Sequence, residues 1–376
     1  MNVVSRVKTL LDKTERILKD NIYEANKYPW GKYRLISPDK RDFPEGFPGV
    51  WNWDTAFHAI AMIEFDMTLA KEQVLGFLQF QKENGLLPDV VFENGDIEER
   101  IGKPPVMADA AWRVYEADVS GDKDFLLAVF TPLVKNALFW ESYRMYDGLF
   151  HYDGDCDKTD KALYQKIVGW ESGWDNSPRW DNEPQNYYTV DLNCYMVTMY
   201  RALANMAKTL GYYHLGWEEK ARILSENIEN RLWNEELGSY CDYNYVTKEF
   251  SKTLSPAAFM PLYIGIASKQ RAEKMDEIAK AHFLPGMPTV AYDDPNYCNN
   301  YWRGPCWLNV AYFAAKGLKD YGFAESAETI KETILDWVYN DGEFVHENYD
   351  AKTGEGLCAS RFSWSCVFVR QFINNF

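Results

Sequence analysis

The sequence predicts an all-α chain, an (α/α)6 barrel (toroid) of six helix pairs with long loops and short β segments on one rim. Three observations carry that expectation. Apolar residues recur at helical spacing in twelve segments. In most successive pairs the first segment is apolar nearly all round and the second is amphipathic and heavily charged, as for an inner and an outer layer. Long connections run only from the second member of a pair to the first member of the next (28–53, 84–104, 147–187, 237–254, 281–302 and 341–362), so all of them belong to one rim.

Val3, Val7, Leu10, Leu11, Ile17 and Leu18 make one stripe, predicting an amphipathic helix to about Lys27. The prolines and glycines of Tyr28 to Val50 impose a loop. Asp54 is placed to cap a helix through AFHAIAMIEFD, and a second helix runs from about Leu69 to Glu83. The next pair is VMADAAWRVYEAD with FLLAVFTPLVKNALFWESYRMY, where Pro132 is positioned to break or offset the second helix. The loop after it holds Val168 to Asp181. Three further pairs follow: VDLNCYMVTMYRALANMAKTLG with GWEEKARILSENIENRLW, AAFMPLYIGIA with KQRAEKMDEIAKA, and GPCWLNVAYFAAKG with FAESAETIKETILDWVY. A last helix from about Ser363 to Phe376 pairs with the first. Residues 1–376 are expected to form a single domain.

The 376 residues are 47% hydrophobic and 16% aromatic, with 14 Trp and 25 Tyr, which excludes a disordered or fibrous chain. A formal charge of −16 would repel phosphate backbones and anionic lipids, so neither nucleic acid nor membrane is an expected partner and a neutral small ligand fits best. Seven scattered cysteines, an odd number with no C-x-x-C pair, read as reduced thiols of a cytoplasmic protein. No apolar run is long enough to span a bilayer, and the N-terminal stretch lacks a signal-peptide pattern. No H-x-x-x-H or H-E-x-x-H pattern supports a metal site, and no cofactor is expected.

The unusual chemistry sits in the long loops. VGWESGWDNSPRWD, Val168 to Asp181, sets Glu171, Asp175 and Asp181 among Trp170, Trp174 and Trp180, with Arg179 beside them. A polar site walled by aromatic faces suits a pyranose, which offers a C–H face for stacking and hydroxyls that need paired acceptors and donors. A tight loop of core tryptophans and solvated acids would give the same composition. GVWNWDT brings Trp51, Trp53 and Asp54 to a helix mouth, where Asp54 also suits a plain N-cap. NNYWRGPCW groups Tyr301, Trp302, Arg303 and Trp307, and the last loop carries His346 and Glu347 in HENYDAKTG. His58, four residues into its helix, reads as a core residue.

Taken in order, GVWNWDT, ESGWDNSPRW, NYWRGPCWLNVAYFAAKGL, HENYDAKTG and FSWS resemble glycoside hydrolase family 63 and its close relatives. Those relatives include bacterial mannosylglycerate and glucosylglycerate hydrolases, with trehalases as more distant kin. The resemblance runs from about Trp30 to the C-terminus. It implies an (α/α)6 barrel that hydrolyses α-glycosidic bonds with inversion. By motif, Asp175 would be the general acid and Glu347 the general base. Trp51, Trp53, Asp54, Tyr301, Trp302 and Trp307 would surround the terminal glucose or mannose, with Glu171, Trp174, Arg179 and Arg303 as further substrate contacts.

The residues agree with these roles. Inversion needs a protonated carboxyl at the leaving oxygen and an ionised one holding water on the far side, roughly 6.5 to 9.5 Å apart. Asp175 beside Trp174 is placed for desolvation to favour its protonated form, and Glu347 lies in a wetter loop. The chain leaves no room for the extra β-rich domain many family members carry, and Cys306 stands where an aliphatic residue is common. The loops that choose the leaving group in relatives, here about Asn84 to Lys103 and His151 to Lys166, give no clear match to those of the relatives, which leaves the substrate open beyond the terminal α-linked glucose or mannose. A non-catalytic carbohydrate-binding barrel and a sugar epimerase or isomerase of the (α/α)6 class are the alternatives.

Overall fold

The computed structural model describes residues 3–181 and 186–376. Thirteen helices dominate the described residues: α1 (Val3–Asp20), α2 (Asn52–Met62), α3 (Met67–Leu78), α4 (Met107–Ala117), α5 (Lys123–Tyr143), α6 (Lys161–Ser172), α7 (Val190–Leu210), α8 (Leu215–Arg231), α9 (Met260–Tyr263), α10 (Lys269–Ile278), α11 (Leu308–Asp320), α12 (Ala324–Asn340) and α13 (Ser363–Asn374). Strands are short and antiparallel, as in the ribbon Gly49–Trp51, Val90–Phe92 and Ile97–Glu98, and the pair Asn348–Tyr349 with Gly356–Leu357. The seven cysteines are free thiols.

Contacts divide the chain into two compact units, one of Met1–Asp20, Trp174–Cys194 and Asn227–Phe376, the other of Asn21–Gly173 and Tyr195–Glu226. In the first, α1 packs on α13, which joins the chain's two terminal helices, and α11 packs on α12. The core between them is apolar on both sides, with Leu10, Ile17, Leu318, Ile330, Ile334, Val369 and Phe372 buried. In the second, α2 packs on α3 and α4 on α5. Helix α2 is buried at ten of its residues, from Asn52 to Met62, as an inner helix requires.

Several boundaries differ from expectation, each for a local reason. Helix α1 stops at Asp20, not Lys27, because Ile22 bridges to Ile36 and the Tyr23 N–H donates to the Leu35 carbonyl. Asp54 is not the cap of α2: Trp51 holds the cap position, and Asp54 lies buried in the first turn, where its charge suits the helix dipole. Pro132 stays inside an unbroken α5, whose buried face of Phe125, Leu126, Val129, Leu133, Ala137, Phe139 and Trp140 outweighs one missing donor. Pro256 and Pro261 shorten the first member of the next-to-last pair to a 3-10 segment, Pro256–Phe259, and the single turn α9. Helix α6 was not expected at all: Asp160 caps it by accepting from Leu163 N–H, and it contains the start of the tryptophan-rich stretch.

Candidate active site

Gly173 ends α6 in a left-handed conformation, φ 75°. A Cβ there would stand 2.4 Å from the Trp53 ring, so glycine is required both by the turn and by the close approach of that indole. Glu171, two residues earlier, is fully buried. Its carboxylate accepts from Arg144 Nε at 2.9 Å and Nη2 at 2.8 Å, and from the Asp153 N–H at 2.6 Å. Burial works against the Arg144 charge, but Glu171 outweighs it and holds the guanidinium above its ordinary pKa. Lys103 donates to the Trp170 carbonyl at the C-terminal end of α6 and pairs with Asp89 at 3.3 Å. Trp51 meets Phe47 and Phe92 edge-on. These residues, with the buried Trp53 and Asp54, belong to the second unit.

Asp175 and Glu347 belong to the first unit, with Trp174, Arg179, Tyr301, Trp302, Arg303 and Trp307. Asp175 is partly exposed and Glu347 is 2% exposed. The Tyr301 hydroxyl donates to Glu347 Oε1 at 2.8 Å. Burial, then the negative charges of Glu347 and of Asp175, push the Tyr301 phenol well above its ordinary pKa, so the two carboxyl groups act on one side chain. Tyr301 itself is left-handed, φ 57°, a conformation non-glycine residues hold only when their surroundings enforce it. The Glu347 strand is fixed by its N–H to the Ala359 carbonyl at 2.8 Å and by Ser365 Oγ to its own carbonyl at 3.1 Å.

Four tryptophans form one row of ring contacts: Trp174 lies tilted at 5.0 Å from Trp302, Trp302 stacks on Trp307 at 3.8 Å with 14° between planes, and Trp307 lies tilted at 5.6 Å from Trp364. Arg179 is fully enclosed, its guanidinium 4.8 Å from the Trp174 ring and 4.7 Å from the Trp180 ring. It donates to Asp191 at 2.8 and 2.9 Å and to Asp242 at 2.8 and 3.1 Å. Burial opposes its charge, yet the two aspartates hold its pKa well above the ordinary value. The same burial raises the Asp242 carboxyl, against the pull of Arg179. Arg303 reaches Asp181 with both Nη atoms, at 2.9 and 2.7 Å.

Glu171 and Arg179, expected as substrate contacts, have no exposed side-chain surface, and protein groups take their hydrogen bonds. His58 is a core residue as expected: burial drops its pKa to about 3, so it is neutral. Sequence reasoning missed Arg144, Asp153, Lys103, Asn176, Asp191 and Asp242. Only Asp191 left a trace, as a charged residue in the otherwise apolar opening of α7.

Residues 47–365 match the family described as the mannosylglycerate hydrolase MGH1-like glycoside hydrolase domain. The chain belongs to that family. It is 25% identical to a mannosylglycerate hydrolase of Rubrobacter radiotolerans over 88% of this chain and 91% of the relative. It is 32% identical to a periplasmic trehalase of Escherichia coli, over 52% of this chain and 38% of that protein. The crystal structure of the GH63 mannosylglycerate hydrolase of Thermus thermophilus in complex with glucose matches with a TM-score of 0.80 at 25% identity, covering 97% of this chain and 99% of that one. The neutral trehalase Nth1 of Saccharomyces cerevisiae matches with a TM-score of 0.76 at 19% identity, covering 96% and 80%. The MGH1-like chain thus has their (α/α)6 fold and is a glycoside hydrolase of the GH63 type, which sets aside the non-catalytic and epimerase alternatives. No described helix of this MGH1-like chain is long and apolar enough to cross a membrane. Among its described residues no group of three or more His, Cys, Asp or Glu side chains is arranged to hold a metal ion.

Proposed function

We propose that this hydrolase releases a terminal α-linked mannose or glucose from a small glycoside with inversion, Asp175 serving as general acid and Glu347 as general base. The Tyr301 hydrogen bond to Glu347, with the Asn176 bonds that tie the residue next to Asp175 to the Tyr301 segment, carries the reading. Asp175 gives its proton to the leaving oxygen as the glycosidic bond breaks. Glu347 takes a proton from the water that attacks the anomeric carbon from the opposite face, leaving the β-hexose and a free alcohol. Tyr301, bonded to Oε1, orients the carboxylate, and the Ala359 N–H donates to Oε2 at 3.4 Å. Trp174, Trp302, Arg303 and Trp307 form the sugar contacts beside the two carboxyl groups, and Arg179 holds the acid-bearing stretch from within.

The names of the Rubrobacter and Thermus relatives make mannosylglycerate the first substrate to test. The Thermus hydrolase has also been crystallised with Tris and D-glycerate, which supports a glycerate leaving group. A match running over 97% of the chain supports reading residues 1–376 as one catalytic domain. Its scattered free thiols support a cytoplasmic setting.

The test is NMR of the protein with mannosylglycerate, glucosylglycerate, trehalose and short α-linked oligosaccharides, following the anomer first released. Prompt β-hexose from one of them supports the reading. An α-anomer as first product, or no release from any, overturns it.

A further inference from the structure

Asn176, which follows Asp175 in the chain, directs both polar atoms of its side chain and its own carbonyl to one short segment. Its Oδ1 accepts the Trp302 N–H at 2.9 Å and its Nδ2 donates to the Asn300 carbonyl at 3.3 Å. Its backbone carbonyl accepts from Arg303 Nη1 at 3.1 Å. The side chain therefore grips the peptide groups on both sides of Tyr301, the residue held left-handed at φ 57° whose hydroxyl meets Glu347 at 2.8 Å. The segment it grips is itself closed, by the Cys298 N–H to the Arg303 carbonyl at 2.8 Å and the Arg303 N–H to the Asn300 carbonyl at 3.0 Å. A Cβ on Gly304 would stand 2.3 Å from the Cys298 carbonyl oxygen, so the turn has no slack in which to drift.

We propose that Asn176 is a positioning residue that sets the spacing between Asp175 and Glu347. One link is the peptide bond to Asp175; the other is the grip on Tyr301, which passes through one hydroxyl to Glu347. A carboxyl pair working on opposite faces of a sugar needs its separation fixed, since a shift of about 1 Å costs on the order of 100-fold in rate. Two of the links, the Asn176 amide and the Tyr301 phenol, are side-chain groups far apart in sequence, so each is removable without touching either carboxyl group. The inference rests on the assignment of Asp175 and Glu347 as acid and base.

The experiment compares the unaltered protein with N176A, N176S, Y301F, N176A/Y301F, D175N and E347Q. The substrate is whichever of mannosylglycerate, glucosylglycerate, trehalose or the short α-linked oligosaccharides the unaltered protein hydrolyses fastest. N176A is expected to lower kcat about 100-fold with KM nearly unchanged. N176S, which keeps one short acceptor and adds no charge beside Asp175, recovers part of the loss. Because both residues act along one chain of contacts, the double variant is expected within about twofold of the slower single variant.

Losses that multiply in the double variant, an unchanged kcat in N176A, or an effect confined to KM would each overturn the inference, while inactive D175N and E347Q proteins leave the acid and base standing. Turnover retained by D175N or E347Q would overturn the acid and base assignment and this inference with it. Should N176A fail to fold, N176S and N176S/Y301F are compared by the same criterion.

Discussion

The Tyr301 hydroxyl donates a 2.8 Å hydrogen bond to Glu347 Oε1, across 46 positions of sequence. Hydrogen bonds to charged groups contribute about 1.5–3 kcal/mol. Tyr301→Phe is therefore expected to lower kcat by about 10- to 150-fold. Steady-state kinetics on the panel substrate check this, and a kcat within experimental error of the parent would show that the bond does not matter to turnover.

Asp175→Asn and Glu347→Gln each remove a group that moves a proton. Each is expected to lose about 100- to 10,000-fold in kcat, with the far-ultraviolet circular dichroism unchanged. Either variant retaining ordinary turnover would remove that residue from the mechanism.

Arg179→Met leaves Asp191 and Asp242 enclosed without their cation. Breaking a buried ionic group in this way costs about 3–5 kcal/mol, read from the urea midpoint. Burial already raises the Asp242 carboxyl above its ordinary range with Arg179 present. The deficit should therefore be smallest in acid, where that carboxyl holds a proton, and should grow as pH rises through its folded-state pKa. A deficit that does not vary with pH would argue that lost packing on Trp174 and Trp180 is the main term.

His58 is neutral in the folded protein, its pKa dropped by burial to about 3 from the ordinary 6.5. The unfolded chain binds the proton more readily, so stability is complete above pH 6.5 and falls as pH drops toward 3. Between those values the slope approaches about 1.4 kcal/mol per pH unit. His58→Gln is expected to flatten the urea midpoint against pH in this window, and an equally steep profile would assign the acid lability to other groups.

Gly173→Ala meets two obstacles, φ 75° and the Trp53 ring 2.4 Å from the new Cβ. Overpacking of this kind costs about 1–3 kcal/mol. Thermal unfolding measures the loss, and an unaltered midpoint would mean that Trp53 moves freely aside.

Helix periodicity was enough to place the helices in order, because an inner helix such as α2 must be apolar on nearly every face and its partner α3 on one. It failed at α6, where Gly169 and the aromatic run of the acid-bearing stretch hide the spacing of Leu163, Tyr164, Ile167 and Val168. It also overextended α1, since nothing local to residues 21–27 says that they pair with a segment a dozen residues on. The candidate carboxyl groups were visible as motif residues. What held them was not: Asp242 sits between two short strands, 63 positions from Arg179, and only the folded chain brings the two within 2.8 Å. Pairing of buried charges is tertiary, so Glu171 and Arg179 looked like ligand groups until Arg144, Asp191 and Asp242 were seen to occupy them.

The stacked pair Trp302 and Trp307 has an optical meaning as well as a mechanical one. Indoles 3.8 Å apart and nearly parallel couple their excited states, so the pair adds its own signature to the near-ultraviolet dichroism from beside Tyr301. The molecule carries a built-in ultraviolet reporter there, one that registers a small rearrangement of those loops without any label.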